Sequence, residues 1–126
     1  MVAQNIQITR RVAVVDDDPY YLKATERLLL AYGWPARSFK SANEFLDTSK
    51  GEEFSCLLVD LQMPGLSGCE LIEQLRSKGI ETPCLIVTAR NLNESQRAIA
   101  DKFVHAVISK PSDAVELISA LENACR

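Results

Sequence analysis

Five short apolar stretches alternate with five segments in which apolar residues recur at helical spacing. The strongest stretch, Cys56 to Val59, runs without interruption into Asp60 and is followed by the chain-breaking pair Pro64-Gly65. An unalternated run of this length is typical of a strand in a parallel sheet, because helices cover both faces and no position needs to be polar. The other strands are predicted at Val12 to Val15, Ala36 to Phe39, Pro83 to Ala89 and His105 to Pro111.

The predicted helices begin at residues suited to N-capping. Asp18 precedes Pro19, which fits the first helical position because its missing N–H would have no partner there in any case. Three further segments place a glutamate three residues after a capping side chain, which is the spacing of a capping box. These pairs are Ser41 with Glu44, Ser67 with Glu70, and Asp113 with Glu116.

The segment Asn91 to Lys102 is predicted to be the most weakly anchored helix. Only Leu92, Ala98, Ile99 and Ala100 offer it apolar surface to bury. With this helix included, strands and helices alternate five times, and the connections are too short for anything but right-handed crossovers. The pattern therefore predicts one doubly wound α/β domain with a parallel sheet.

The composition of the chain favours a globular protein and gives no sign of a nucleic-acid-binding or membrane protein. The chain has 126 residues, 47% hydrophobic and 25% charged, so we predict a single globular domain over residues 1–126 with a polar lead over residues 1–10. A net charge of −3 gives no reason to expect direct binding of nucleic acid. No stretch has the apolar length of a membrane span or a signal peptide, so we expect a cytoplasmic protein. The four cysteines lack metal-type spacing and are expected to be reduced thiols.

Polar residues stand at the carboxyl ends of the predicted strands. In a doubly wound sheet these ends form one edge, where ligands bind. Two like charges about 4 Å apart repel by about 4 kcal/mol at an effective dielectric constant near 20, so clustered carboxylates need something to offset that repulsion. Mg²⁺, which binds through a few carboxylates and a phosphate, would offset it. The residues brought to this edge are Asp16, Asp17, Asp60, Thr88 and Lys110.

This set of residues is suited to phosphoryl transfer. An aspartate such as Asp60 can act as a nucleophile and carry a phosphoryl group. Thr88 offers a hydroxyl donor to a phosphoryl oxygen, while Lys110 and a cation would spread the charge that develops during in-line attack. Taken alone, Asp60 is equally compatible with the start of a turn. Only the combination indicates a site.

The segments VVDDDP, LLVDLQMPG, LIVTA and ISKP, in this order, resemble the receiver domain of bacterial two-component response regulators. The resemblance extends from about Arg11 to the end of the chain. It implies a flavodoxin-like fold in which five parallel strands have the order 2-1-3-4-5 and are covered by five helices. It also implies that the protein is a signalling switch and not an enzyme, beyond assisting its own phosphorylation and dephosphorylation.

The resemblance assigns a role to each residue of the site. Asp60 would be the phosphoacceptor, and Thr88 and Lys110 would contact the phosphoryl group that it carries. The Lys110-Pro111 peptide bond is expected to be cis. Mg²⁺ would be held by Asp16, Asp17, Asp60 and the backbone carbonyl of Gln62.

Partners follow from the same resemblance. The phosphoryl group would come from a sensor histidine kinase, a phosphotransfer protein or a small phosphodonor. A downstream protein would then read the phosphorylated state. Whether the chain forms a homodimer stays open, as does the choice between a single-domain regulator, which Met1 favours, and a fragment of a larger regulator or hybrid kinase.

The sequence departs from the family on its output side. Val107 stands where receivers usually have Tyr or Phe, Phe103-Val104 replaces a pair of small residues, and Ser112 replaces a frequent Phe. A β-branched valine has restricted χ1 freedom, so a large aromatic side-chain switch is unavailable at this position. We therefore predict that phosphorylation is reported through the helix over Asn91 to Lys102 and its adjoining loops.

Three other functions compete with this interpretation. A pseudo-receiver would bind partners without phosphorylation, which Val107 and Ser112 favour and the complete set of acids, Thr88 and Lys110 disfavours. A phosphohydrolase with an aspartate nucleophile generally has a second acid two residues later, where Gln62 stands here. Zinc or triad catalysis would need partners for His105, the only histidine, which we interpret as a sheet residue.

Overall fold

The computed structural model describes residues 11–49 and 53–125. The polar lead over residues 1–10 and part of the predicted connection from Lys50 to Phe54 lie outside these residues. Five strands and five helices alternate along the described chain. They are β1 (Val12–Val15), α1 (Pro19–Ala31), β2 (Ala36–Phe39), α2 (Ala42–Thr48), β3 (Cys56–Val59), α3 (Gly68–Ser77), β4 (Cys84–Thr88), α4 (Glu94–Phe103), β5 (Ala106–Ser109) and α5 (Ala114–Ala124).

The strands form one parallel sheet in the order β2-β1-β3-β4-β5, which confirms the predicted topology. Strand β1 lies between β2 and β3, and Val15 pairs with Phe39 on one side and with Val59 on the other. The central strands β1, β3 and β4 are buried along their whole length. This burial explains why their sequences are continuous apolar runs and do not alternate with polar residues.

Alternate residues of each strand pack on opposite faces of the sheet. Ala13 and Val15 face a core that α2, α3 and α4 cover, whereas Val12 and Val14 face a core that α1 and α5 cover. Each fully buried Val, Leu, Ile or Phe side chain stabilises the fold by about 1.5–3 kcal/mol relative to leaving it exposed. The two cores hold the sheet rigidly between two helical layers.

The predicted N-caps are present, with one difference. Asp18 accepts hydrogen bonds from backbone amides at the start of α1, and Ser67 with Glu70 forms a complete capping box at the start of α3. In α2, Ser41 accepts from the backbone N–H of Glu44, but the Glu44 carboxylate accepts from the N–H of Lys40 and not from that of Ser41. The reciprocal half of this box therefore lies one residue earlier than its spacing predicts.

The fourth helix is shorter than predicted. Its N-cap is Asn93, which forms a capping box with Gln96, so α4 begins at Glu94 instead of Asn91. Among the described helices, none combines the length and the hydrophobicity needed to span a membrane. All four cysteines are free thiols, as expected.

Candidate functional site

Two buried carboxylates lie side by side at the carboxyl edge of the sheet. Asp16 follows β1 and Asp60 follows β3, and the backbone N–H of Asp60 donates to the carbonyl of Val15 at 3.0 Å. Asp16 is 2% exposed and Asp60 is 7% exposed, whereas Asp17 is exposed to solvent. Each of the three offers a carboxylate oxygen within 4.8 Å of the others. The predicted acidic cluster is therefore present.

Lys110 supplies the positive charge of the pocket. Its Nζ lies 2.6 Å from Oδ2 of Asp16 and 3.7 Å from Oδ2 of Asp60. The backbone N–H of Lys110 donates to the carbonyl of Thr88 at 2.8 Å, which places the ends of β4 and β5 together at this edge. The Lys110-Pro111 peptide bond is cis, as predicted. The carboxyl ends of β1, β3 and β5 thus converge around the Lys110 ammonium group.

Thr88 ends the buried strand β4 and is 2% exposed. The pairing of Val59 with Ile86 places it at the same edge as Asp60. Its Oγ1 accepts a hydrogen bond from the backbone N–H of Arg90 at 3.4 Å. Thr88 is therefore oriented by the first residues of the loop that leads to α4.

Backbone amides orient both buried carboxylates. Oδ1 of Asp16 accepts from the N–H of Asp18 at 2.9 Å, and Oδ1 of Asp60 accepts from the N–H of Gln62 at 3.3 Å. In each residue the other oxygen, Oδ2, faces Lys110. Gln62 therefore lies beside the site through its backbone, while the role predicted for its carbonyl stays a prediction.

Helix α3 begins directly over the backbone of Asp60. A Cβ atom at Gly68 would lie 2.4 Å from the Asp60 carbonyl oxygen and 2.8 Å from Cγ1 of Val59, so only glycine allows this approach. The pattern of residues along the chain does not single out Gly68. Its position directly after the capping residue Ser67 is compatible with any small residue, and the close approach appears only in three dimensions.

The pocket carries more negative than positive charge. Burial, followed by the charge of Asp16, raises the pKa of Asp60 above its usual value. Burial lowers the pKa of Lys110, but the hydrogen bond and charge of Asp16, with the charge of Asp60, outweigh that effect, so the net shift is upward. One ammonium group beside three carboxylates leaves an excess of negative charge that a hard divalent cation would neutralise. Asp16, Asp17 and Asp60 form the set of oxygen donors that such a cation prefers.

An aromatic ring completes the surroundings of Lys110. The centroid of the Tyr21 ring lies 4.0 Å from the Lys110 Nζ, on the side of α1. The sequence alone assigns Tyr21 only to core or surface packing. The one available signal is its place in the first turn of a helix that begins three residues after an acid of the site.

A five-stranded parallel sheet of this order, with an acidic pocket and a lysine at its carboxyl edge, has the architecture of a flavodoxin-like α/β domain. The chain belongs to the response regulator receiver domain family, which it matches over residues 12–122. The predicted fold and family are thereby confirmed.

Relatives of known sequence include larger regulators. The transcriptional regulatory protein FixJ of Bradyrhizobium diazoefficiens is 31% identical over 117 residues, a match that covers 91% of this chain and 56% of FixJ. The sensory/regulatory protein RpfC of Xanthomonas campestris is 30% identical over 115 residues, which are 88% of this chain and 16% of RpfC. The chain thus spans about half the length of the first relative and a smaller share of the second.

Solved structures of receiver domains superpose closely on this chain. The response regulator StyR has a TM-score of 0.81 at 30% identity, and the match covers 91% of this chain and 58% of StyR. The chemotaxis protein CheY4 of Vibrio cholerae has a TM-score of 0.82 at 19% identity, with coverage of 92% and 98%. At that lower identity the likeness to CheY4 concerns the fold alone.

Proposed function

We propose that this protein is a phosphorylatable switch of a two-component system, with Asp60 as the phosphoacceptor. The observation that carries the proposal is the position of the Lys110 ammonium, 3.7 Å from Oδ2 of buried Asp60 and 2.6 Å from Oδ2 of Asp16. A nucleophilic carboxylate needs a nearby cationic group to receive a phosphoryl anion, because both reactants are negatively charged. Membership of the receiver family supports the same assignment.

The transfer would proceed by in-line attack on phosphorus. An oxygen of Asp60 forms a bond to phosphorus while the bond from phosphorus to the donor breaks, and the donor leaves with that electron pair. The leaving atom is an imidazole nitrogen for a phosphohistidine and a carboxylate oxygen for acetyl phosphate. Lys110 neutralises charge on the transferred group, and the Thr88 hydroxyl donates to a phosphoryl oxygen.

We propose Mg²⁺ as the cofactor, held by Asp16, Asp17, Asp60 and the backbone carbonyl of Gln62. The cluster of carboxylate oxygens within 4.8 Å supports this assignment, since Mg²⁺ prefers oxygen ligands and retains waters beside a few carboxylates. When bound, the ion would supply positive charge to the phosphoryl oxygens. The exposure of Asp17 is compatible with a water-bridged contribution to such a site.

Incubation with Mg²⁺ and acetyl phosphate, followed by intact mass spectrometry, tests the proposal. We expect one phosphoryl-sized mass increment that disappears in Asp60→Asn and when EDTA replaces Mg²⁺. Asp101→Asn, which removes an exposed acid of α4, is the matched control and should behave as the unmodified chain. An unmodified mass would instead support a pseudo-receiver that binds partners without phosphorylation, and an increment that persists in Asp60→Asn would assign another acceptor.

The proposed partners are a histidine kinase or phosphotransfer protein and a downstream protein target, in the cytoplasm. We further propose that α4 and its loops report phosphorylation, because Ala100 is the only residue of α4 that is fully buried. Arg90, whose backbone N–H donates to Thr88 Oγ1, lies at the start of the loop that connects the site to this helix. Hydrogen exchange with and without beryllofluoride and Mg²⁺ should show its largest change over residues 90–104. Unchanged protection there, with changes elsewhere, would contradict this assignment.

A further inference from the structure

We propose that Tyr21 is a positioning residue that holds the Lys110 ammonium group in place for the incoming phosphoryl group. This inference rests on the proposed function and assigns one further residue to it. The ring centroid of Tyr21 lies 4.0 Å from Lys110 Nζ, well inside the distance of about 6 Å over which an aromatic face attracts a cation. The same ammonium lies 2.6 Å from Oδ2 of Asp16 and 3.7 Å from Oδ2 of Asp60.

Tyr21 is itself fixed in position. It lies in the first turn of α1 and is partly buried against the core that α1 and α5 cover. The helix backbone holds one end of the side chain, and packing against that core holds the ring. The ring therefore presents a fixed surface to a lysine whose long side chain would otherwise have many rotamers.

Tyr21 and Lys110 both line an open groove. This groove has a volume of about 450 Å³, and its walls come from α1, from the residues after β5 and from α5. Its apolar walls include Leu28, Pro111 and Leu117. The groove gives the ammonium group room for an alternative position, away from the two carboxylates. Attraction to the Tyr21 ring opposes that alternative.

Because position 107 is a valine, β5 brings no aromatic ring to the site at that position, and the Tyr21 ring contacts Lys110 instead. In receivers that have Tyr or Phe at the position of Val107, an aromatic group belongs to β5, whereas here the ring that touches the site belongs to α1. Asp16, Asp60 and Tyr21 are the groups that hold the Lys110 ammonium at the site. The ring thus limits where the lysine goes, without touching the reacting atoms.

The test compares phosphorylation rates with acetyl phosphate and Mg²⁺ in three variants. Tyr21→Leu removes the ring and should lower the second-order rate constant about three- to tenfold. Tyr21→Phe keeps the ring and should stay within about twofold of the unmodified chain. Tyr20→Leu is the matched control, since Tyr20 is 85% exposed on the preceding position of the same helix, and it should leave the rate unchanged.

Two further measurements distinguish positioning from a general loss of structure. The affinity for Mg²⁺ should not fall in Tyr21→Leu relative to Tyr21→Phe, because the ring contacts the lysine and a displaced lysine leaves the carboxylates free to bind the ion. The NMR signals of the Lys110 ε-methylene group should lose their ring-current shift in Tyr21→Leu and retain it in Tyr21→Phe. Loss of Mg²⁺ affinity in step with the rate would overturn the inference in favour of a structural role.

The outcomes for the inference and for the proposed function are separable. If the unmodified chain gains a phosphoryl group and Tyr21→Leu gains it equally fast or faster, the inference fails and the proposed function stands. If the unmodified chain gains none, both fail. A Tyr21→Phe variant as slow as Tyr21→Leu would assign the effect to the hydroxyl and would also overturn a role for the ring.

Discussion

Helices α3 and α4 look alike in sequence and differ in how they are anchored. Each has ten residues, a capping box, an acid in the first turn and a basic residue in the last turn. Helix α4 buries only Ala100, whereas α3 buries five residues, namely Gly68, Cys69, Leu71, Ile72 and Leu75. Capping therefore sets where a helix begins, while the apolar residues on its inner face set how firmly it is held.

The two helices are joined at their carboxyl ends by one side chain. The Arg76 guanidinium donates to the carbonyl of Ile80 at 2.7 Å and to the carbonyl of Phe103, the last residue of α4, at 3.1 Å. The other end of α3 rests on the Asp60 backbone through Gly68. Helix α3 is thus a fixed support that contacts Asp60 at one end and α4 at the other.

The largest expected effect is that of Gly68→Ala, which would break the contact between α3 and the Asp60 backbone. The added methyl group would lie 2.4 Å from a backbone oxygen that cannot move freely, so either the helix or Asp60 must shift. We expect a loss of about 3 kcal/mol or more in the free energy of unfolding, measured by urea denaturation. Phosphorylation of the folded fraction should also slow, because Asp60 is displaced.

The control for this substitution lies at the other end of the helix. Gly79→Ala adds a methyl group with nothing within 4 Å, at a φ of 78°. It should cost only about 1–2 kcal/mol, the usual penalty for a left-handed non-glycine residue. A Gly68→Ala variant as stable as Gly79→Ala would show that α3 is not pressed against the Asp60 backbone.

The next effect compares one core residue from each helix. Leu71→Ala in α3 removes a fully buried side chain and should cost about 2–5 kcal/mol. Ile99→Ala in α4 removes a partly buried one and should cost about 1 kcal/mol. Urea denaturation of both variants measures the difference. Equal losses would mean that α4 is anchored as firmly as α3, and would remove the basis for proposing α4 as the reporting element.

Much of the fold could be predicted because its signals are local. Strand β2 has the predicted bounds, and β1, β3 and β4 coincide with continuous apolar runs. Asp18 and Ser67 cap the helices that their spacing predicts. Helix α4 begins later than its apolar residues predict, because Leu92 packs against the core from the loop before the capping residue Asn93.

Some residues of the site could likewise be predicted from sequence, and others could not. Asp16, Asp60 and Lys110 could be brought together from sequence, since the carboxyl ends of parallel strands lie at one edge of the sheet. The contacts of Tyr21 and Arg76 could not, because each joins two elements that are distant along the chain through the reach of a long side chain. No periodicity or capping rule encodes such a contact, which depends on how helices sit against the sheet.

A smaller effect should follow from cutting the link between α3 and α4. Arg76→Met keeps an apolar stem of similar length but removes the donors to Phe103 and Ile80. We expect a loss of about 1–2 kcal/mol, confined mainly to α4. Amide hydrogen exchange should quicken about tenfold over α4 and remain unchanged over α3.

Arg97→Met is the matched control for the Arg76 variant. Arg97 is an exposed arginine within α4 itself, so its removal changes the charge of the chain equally but leaves the link intact. Its exchange pattern should match that of the unmodified chain. If the two variants exchange alike, the guanidinium of Arg76 does not hold α4, and the helices are coupled only through packing.

The smallest expected effect is an alkaline loss of stability at Cys84, the first residue of β4, beneath the Arg76 side chain. Burial raises the pKa of this thiol to about 11, against the lowering influence of the Arg76 charge and hydrogen bond. The pKa of the Cys84 thiol is higher in the folded chain than in the unfolded chain. The contribution of the buried thiol to the free energy of unfolding is therefore fully present below the unfolded pKa, and it is lost as pH rises through the folded pKa. Between pH 8 and pH 10 we expect a loss of about 1 kcal/mol.

Comparison with Cys84→Ala isolates this contribution from other alkaline titrations. The variant is less stable at every pH because of the cavity it creates, but its stability should fall about 1 kcal/mol less than that of the unmodified chain over the same interval. Urea denaturation under reducing conditions at both pH values measures the difference. Parallel losses in the two proteins would show that the thiol ionises as readily in the folded chain as in the unfolded one. Burial beneath α3 would then not protect the thiol from ionising. The difference in anchoring between α3 and α4 would not extend to how well each helix excludes solvent from the core.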